Sequence, residues 1–284
     1  MARTSRAAID DAREVCANHL GFDPHGVVFT SGGTEADNLA IHGACTSNGI
    51  AVCAATEHHA ILHPVEFRSG RVAQVMDDGA VDLDHLETLL DDNVAVISVM
   101  LVNNESGRIV DLNPIADLRD RVAPGAMLHT DAVQGINWVD IREALRRVDM
   151  VSLSGHKFGA PKGVGALAIR PGLKLAPQLL GGGQESERRS GTHNTAGIVA
   201  FGAALECLAA SRLSDIERLG RLSEQLSEGL ISRIDGCSET ISRGQRASGI
   251  LQLVIQGIES EALLVLLERH GVMASAAASC ASGA

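Results

Sequence analysis

Short apolar runs alternate with amphipathic stretches along most of the chain. Ile9, Ala12, Cys16 and Leu20 recur at helical spacing and predict a helix near the start, ahead of a strand at VVFT, residues 27–30. Further apolar runs predict strands at 51–55 (AVCAA), 72–76 (VAQVM), 94–101 (VAVISVML), 126–132 (AMLHTDA) and 150–155 (MVSLSG). Between them, DLDHLETLLDD, NPIADLRDRVA and DIREALRRV repeat apolar residues at helical intervals. Several strand runs are apolar throughout rather than alternating. That pattern belongs to a parallel sheet whose two faces are both covered by helices. The predicted fold is therefore α/β, a mostly parallel sheet flanked by helices.

After GGGQESERRSGT the character changes. Residues 195–234 read as nearly continuous helix, with a joint expected at Leu213 to Asp215. A strand (ILQLVIQ), a helix (ESEALLVLLERHG) and a final extended segment follow. The expected division is a large α/β domain over 1–213 and a smaller, partial α+β domain over 214–284. No internal repeat is present.

Composition narrows the function classes. At 284 residues, with 45% hydrophobic and 21% charged residues, the chain resembles an ordinary globular protein able to bury a sizeable core. No apolar run is expected to approach the length of a membrane span, and the start MARTSRAAIDDAREVC reads as an amphipathic helix. A formal charge of −11 argues against general affinity for nucleic acid or anionic membranes. Tyrosine is absent and other aromatics are scarce, so stacking platforms for single strands are not expected either. Of the cysteines, Cys16, Cys45, Cys53, Cys207 and Cys237 sit in helix- or strand-like contexts. None forms a CxxC, no Cys/His group has zinc-like spacing, and no metal site is expected. Cys280 differs, lying in the small-residue run ASAAASCASGA. The pattern fits a reducing, cytoplasmic setting.

In parallel α/β sheets, ligands bind where strands end and helices begin. The first strand runs into TSGGTEADNLAIHG, where two glycines and Thr34 open a helix. This is either an anion cradle of free N–H groups or a plain turn with Thr34 as N-cap. Asp131 in HTDAVQG is either a functional carboxylate or a helix cap. Asn104 in VNNESG is either functional or a turn residue, and His58 in TEHHAIL could equally be a solvated side chain. SLSGHKFGAPKG places His156 and Lys157 directly after a buried strand. Thr34, His58, Asn104, Asp131, Gln134 and the turn Ser154-Gly155-His156-Lys157 all follow candidate strands of one sheet. An anion cradle, a carboxylate and a lysine on one rim suit pyridoxal phosphate, which needs a lysine for its aldehyde and an acid for its ring nitrogen.

The ordered set SGGTEADNLAIHG, TEHHAIL, VNNESG, HTDAVQG, SLSGHKFGAPKGVGAL and GGGQESERRSGT resembles the successive motifs of cysteine desulfurases of the NifS/IscS type. These are aminotransferase class V proteins with the fold-type I architecture of pyridoxal-phosphate-dependent transferases, and the likeness runs from about Ala7 to Cys280. The resemblance implies that Lys157 bonds the cofactor aldehyde and later shuttles a proton, and that His58 stacks on the ring and assists. It implies that Asp131 pairs with the ring nitrogen, and that Gln134 and Asn104 hold the phenolic oxygen side. Gly33, Thr34, Ser154 and His156 would bind the phosphate, with Thr192 reaching the phosphate of the other subunit of a homodimer. Cys280 matches the mobile-loop nucleophile. The implied reaction converts L-cysteine to L-alanine and leaves a persulfide on Cys280, destined for an iron–sulfur scaffold or a tRNA-thiolation protein.

The resemblance also implies a chain abbreviated at both ends. The family usually starts several dozen residues earlier, and continues past the cysteine loop to an arginine for the substrate carboxylate, which has no counterpart here. The loop reads SAAASC where the family has Ser-Ser-Gly-Ser-Ala-Cys, so less flexibility is expected. Leu251, Val254, Leu263 and Leu266 are expected to lack part of their cover. The alternatives are another class V enzyme, such as selenocysteine lyase or an aminotransferase, and a cofactor-binding remnant without turnover.

Overall fold

The structure, a computed structural model, describes residues 2–46 and 48–276. Seven strands form the main sheet: β1 (Val27–Thr30), β2 (Ile50–Ala54), β3 (Arg71–Ala73), β4 (Val94–Ser98), β5 (Met127–Asp131), β6 (Met150–Ser154) and β7 (Gly165–Ile169). Their spatial order is β1-β7-β6-β5-β4-β2-β3. The pairs β2/β3, β2/β4, β4/β5 and β5/β6 are parallel. β7 is antiparallel to both of its neighbours, β6 and β1, so β1 points the same way as β6. The carboxyl ends of β1, β2, β4, β5 and β6 consequently share one edge of the sheet.

All six strands read between residues 27 and 155 are present; β1 matches its run and the other five differ from theirs at one or both ends, most at β3 and β4. Residues 72–76 contract to β3, and 94–101 ends as a strand at Ser98. Beyond Ser98 the backbone still bonds its neighbour, Val99 N–H donating to His129 O at 3.1 Å and Leu101 N–H to Asp131 O at 3.0 Å. β7 was not expected as a strand. Its sequence, GALAI, is poor in the β-branched and aromatic residues that signal strands, yet it is wholly buried between two partners.

The continuous apolar character of the strands has a direct cause. Val27 and Phe29 of β1 join one core and Val28 the other; Val151 and Leu153 of β6 join the first and Met150 the second. Helices α2 (Gly33–Ala44) and α3 (His59–Phe67) cover one face, through residues such as Leu39, Ile41, Ile61 and Val65. The opposite face is covered by α1 (Ala2–Leu20), α4 (Leu83–Thr88), α5 (Asn113–Val122), α6 (Ile141–Ala144) and α7 (Thr195–Ile231). Each fully buried Leu, Ile, Val or Phe contributes roughly 1.5–3 kcal/mol.

The joint expected at Leu213 to Asp215 is absent: α7 runs unbroken for 37 residues. The polar residues there are satisfied within the helix, Ser214 Oγ donating to Ser211 O at 2.8 Å and Asp215 pairing with Arg218 at 3.0 Å. A second correction concerns apolar length. α7 contains a stretch apolar enough, and is long enough, to cross a membrane by length and composition. Its Ile198, Phe201, Gly202 and Leu205 are buried within the protein. At Gly202 an added Cβ would lie 3.0 Å from Ala12 Cβ, so the glycine lets α1 and α7 approach closely.

The remaining elements are a two-stranded antiparallel sheet, β8 (Cys237–Glu239) and β9 (Leu253–Ile255), and the helix α8 (Ser260–Arg269). The connection between β8 and β9 lies against the loop after β4. Ala247 N–H donates to Gly107 O at 2.8 Å and Ile109 N–H to Gln245 O at 2.8 Å. Val254 and Leu266 are about half exposed, at 51% and 53%, while Leu251 and Leu263 are half-buried. α8 buries none of its residues.

Candidate functional site

The strand ends converge on α2. Gly32 is its N-cap and offers no side chain, so the first-turn N–H groups have no side-chain partner there. Thr34 lies inside the first turn and is exposed, so the plain N-cap alternative does not describe it. An added Cβ at Gly33 would lie 2.9 Å from Val133 Cγ2 and 3.3 Å from Ser154 Cβ. Only glycine allows the turn to close onto the ends of β5 and β6. Ser154 Oγ is 2.9 Å from His156 Nδ1, bringing Gly33, Thr34, Ser154 and His156 to one place.

Asp131 ends β5 and is buried, with Ser152 opposite it on β6. Its Oδ1 accepts the Val133 N–H at 2.8 Å, so it also shapes the turn it belongs to. Burial raises its pKa to about 6, against the pull of the Val133 N–H and the Lys157 ammonium. Lys157 is half-buried and closes a short 3-10 turn, Gly155–Lys157, directly after β6. Asn137 Nδ2 donates to the Lys157 carbonyl at 3.1 Å. Below the turn, the Phe201 ring meets Phe158 edge to face, with centroids 5.0 Å apart. A Cβ at Gly155 would come within 3.1 Å of Phe201 Cδ2, so the lysine turn sits directly on α7.

His58 caps α3, its Nδ1 accepting the Ala60 N–H at 3.0 Å. In the neutral ring the proton is therefore on Nε2. Burial lowers its pKa first, and the neighbouring His59 and Lys157 charges lower it further. Asn104 and Gln134 are both half-buried. The loop of Asn104 is held by Asn103, whose Oδ1 accepts Ser106 N–H at 2.8 Å and whose Nδ2 donates to Thr56 O at 3.1 Å. The turn-building role thus belongs to Asn103, whose bond to Thr56 O joins the loop of Asn104 to the turn that leads to His58.

Thr192 is exposed, in a segment fastened by Glu185. The buried Glu185 carboxylate accepts two bonds from Arg13, at 2.7 and 2.9 Å, one from Phe29 N–H at 2.9 Å, and lies 2.7 Å from His193 Nε2. Glu185, Ser186 and Glu187 all have left-handed backbones, φ 51, 56 and 65°, a conformation costing roughly 1–2 kcal/mol per residue. The Glu185 contacts offset that cost. Arg189 reaches Glu35 in the first turn of α2 at 2.7 Å, joining this segment to the cradle. Burial pushes the Glu35 carboxyl up, but the bonds from Arg189 and Ser31 hold it below its ordinary value.

Sequence reasoning missed a buried polar group beneath the rim: Asp37, Glu57, Ser98, His129 and Ser152. Each lies within or beside a motif already quoted, but nothing in the spacing marks it as buried. Cys280 falls outside the described residues. Cys16, Cys45, Cys53 and Cys237 are buried and Cys207 is exposed, all free. Burial pushes the Cys16 thiol up to about 12 and raises Cys53 also, so neither supplies a thiolate.

The arrangement offers N–H and hydroxyl donors for an anion, an acid for a basic ring nitrogen and an amine for a carbonyl. The aminotransferase class-V family model matches residues 1–284. A cysteine desulfurase of Nostoc sp. is 37% identical over 97% of this chain and 70% of its own length. A solved NifS-like protein superposes with a TM-score of 0.91 at 30% identity, covering 97% of this chain and 77% of its own. The structure of SspA in complex with cysteine gives a TM-score of 0.82 at 28% identity, over 99% of this chain and 80% of that one. A sheet edge built in this way, matched over nearly the whole chain, establishes the family: the chain belongs to aminotransferase class V and, within it, to the cysteine desulfurases.

Proposed function

We propose that, as a cysteine desulfurase, this chain binds pyridoxal 5′-phosphate at the carboxyl edge of its sheet and takes sulfur from L-cysteine, releasing L-alanine. The carrying observation is the buried Asp131 at the end of β5 and Lys157 in the turn directly after the adjoining strand β6, beside an α2 first turn without a side-chain cap. Pyridoxal phosphate fits these residues. When bound, it supplies an aldehyde for an amine and a ring that accepts electrons from the substrate Cα.

Gly33, Thr34, Ser154 and His156 take the phosphate through N–H, hydroxyl and ring donors. Asp131 would pair with the ring nitrogen, and a cation there would favour its carboxylate form. Asn104 and Gln134 would hold the phenolic oxygen side, and His58, whose Nδ1 is taken by its cap bond, would stack on the ring. Lys157 Nζ would hold the cofactor's aldehyde carbon and, once freed, would be the base placed to take a proton from the substrate Cα. The Cys280 thiolate would attack the substrate sulfur as the substrate Cβ–S bond breaks, the bonding pair staying with the three-carbon fragment that takes up protons to leave as L-alanine. Cys280 would keep the sulfur as a persulfide for an iron–sulfur scaffold or a tRNA-thiolation partner. Its assignment rests on the family motif. Thr192 serves the phosphate of a second copy in a homodimer. Residues 1–213 form the cofactor-binding unit and 214–284 the smaller one, in a cytoplasmic protein whose buried free cysteines suit a reducing setting.

The test is release of alanine and sulfide from L-cysteine by the cofactor-loaded chain. Lys157→Ala is expected to abolish the visible absorbance of the lysine-bound cofactor and to lower turnover at least about 100-fold. Cys280→Ser is expected to abolish sulfur transfer. Full turnover by that variant would favour a class V reaction without a sulfur-carrying cysteine. Normal cofactor absorbance with no turnover in the wild type would favour a binding remnant.

A further inference from the structure

Under the proposed cofactor position, four ionisable side chains are buried together on the α2 face of the sheet. Asp37 projects from α2, Glu57 precedes His58, and His129 and Asp131 belong to β5; relative exposures are 1%, 5%, 0% and 6%. Two carboxyl oxygens here, Asp37 Oδ1 and Glu57 Oε2, are buried without a hydrogen-bond partner. Glu57 Oε1 accepts Met100 N–H at 2.6 Å. Among the described residues, His129 is the one basic group paired with Asp37, with Nε2 at 3.8 Å from Oδ1. It is a poor counterion. Its Nδ1 is 2.8 Å from Ser98 Oγ and its Nε2 3.0 Å from Ser152 Oγ, both neutral hydroxyls. Burial takes its pKa down to about 3, so the ring is neutral.

Among the described residues, no Arg or Lys pairs with Asp37 or Glu57. The groups acting on Asp37 are Asp131 from β5, Ser152 from β6 and Glu57 from the turn after β2. Those acting on Glu57 are the Met100 N–H and Asp131. Lys157 acts on Asp131 alone of the three acids. Three carboxylates so placed cannot all be ionised: an unpaired buried charge with an orphan oxygen takes up a proton instead. Burial raises both Asp37 and Glu57 well above the ordinary carboxylate range and neighbouring acids add to it, outweighing the opposing bonds from Ser152 to Asp37 and from the Met100 N–H to Glu57.

We propose that Asp37 and Glu57 are carried as neutral carboxylic acids, so that the cluster's single negative charge resides on Asp131, where it meets the cofactor ring nitrogen. The final clause rests on the cofactor reading above; the protonation of Asp37 and Glu57 does not.

The experiment has two arms. Infrared difference spectra of the cofactor-free chain, from about pH 6 to about pH 8, read the carbonyl stretch of protonated carboxylic acids directly. The wild type is expected to keep that band across the range, and Asp37→Asn and Glu57→Gln each to lose part of it. A wild type without the band at about pH 8, where Asp131 is itself ionised, overturns the proposal even if the variants fail to fold. In the second arm, the absorbance of the lysine-bound cofactor is titrated with pH. Asn mimics a neutral acid in shape and charge, so Asp37→Asn is expected to move the midpoint by less than about half a unit, and Asp131→Asn by more than about one. Equal shifts would mean that Asp37 is ionised and would overturn the allocation of charge. A chain that binds no cofactor removes the function proposed above while the infrared arm still decides the protonation.

Discussion

The carboxyl edge of the main sheet and the segment from residue 237 to 276 are built to different standards. At the edge, Asp131, Ser152 and Ser154 belong to strands paired on both sides, with an apolar core above and below. The later segment pairs two three-residue strands, and its helix α8 buries nothing. Sub-ångström placement of reacting groups needs the first kind of support, because dense packing fixes rotamers and backbone together. The second kind opens at lower free energy, since few buried contacts must break.

The largest effect that would break this contrast comes from its floor. Phe201→Ala removes a fully buried ring under the lysine turn and is expected to cost about 3–5 kcal/mol, read by denaturant unfolding. A cost below about 1 kcal/mol would mean that the turn does not depend on α7. Next is Glu185→Gln, which leaves Arg13 without its ionic partner and weakens the hold on the left-handed residues. About 2 kcal/mol is expected, with proteolytic nicking confined to residues 183–194. Uniform nicking would dissolve the distinction.

The pH dependence is smaller. Asp131 binds its proton more tightly when folded, with a pKa of about 6, than as an ordinary aspartate near about 4. Its contribution to the stability of the cofactor-free chain is therefore fully present below about pH 4 and lost as pH rises through about 6. Asp131→Asn should flatten the melting temperature across that window; an unchanged slope would refute the assignment. The smallest effect sharpens the contrast from the other side: Leu266→Ala, at a half-exposed site, is expected to cost less than about 1 kcal/mol.

The main strands were legible because burial on both faces writes itself as uninterrupted apolar runs, as in VVFT and MVSLSG. β7 was not, since Gly165, Ala166 and Ala168 are chosen to fit between crowded strands and carry little strand signal of their own. The expected joint in α7 failed for a related reason: Ser214 and Asp215 look like breakers, but local hydrogen bonds absorb them. At the site, the residues at strand ends could be picked out because a turn after a strand exposes its side chains to one edge. The acids Asp37 and Glu57 could not, because a carboxylate on a helix or turn is usually solvated and only the tertiary fold removes the water.

A helix of 37 residues without a hinge is a lever about 55 Å long. Its near end carries the aromatic seat of the lysine turn and its far end leads into β8. A tilt of about 5° at the near end sweeps Ile231 through about 5 Å. Any swing of the chain's later part must therefore either bend the connection after Ile231 or be felt at the sheet as torque.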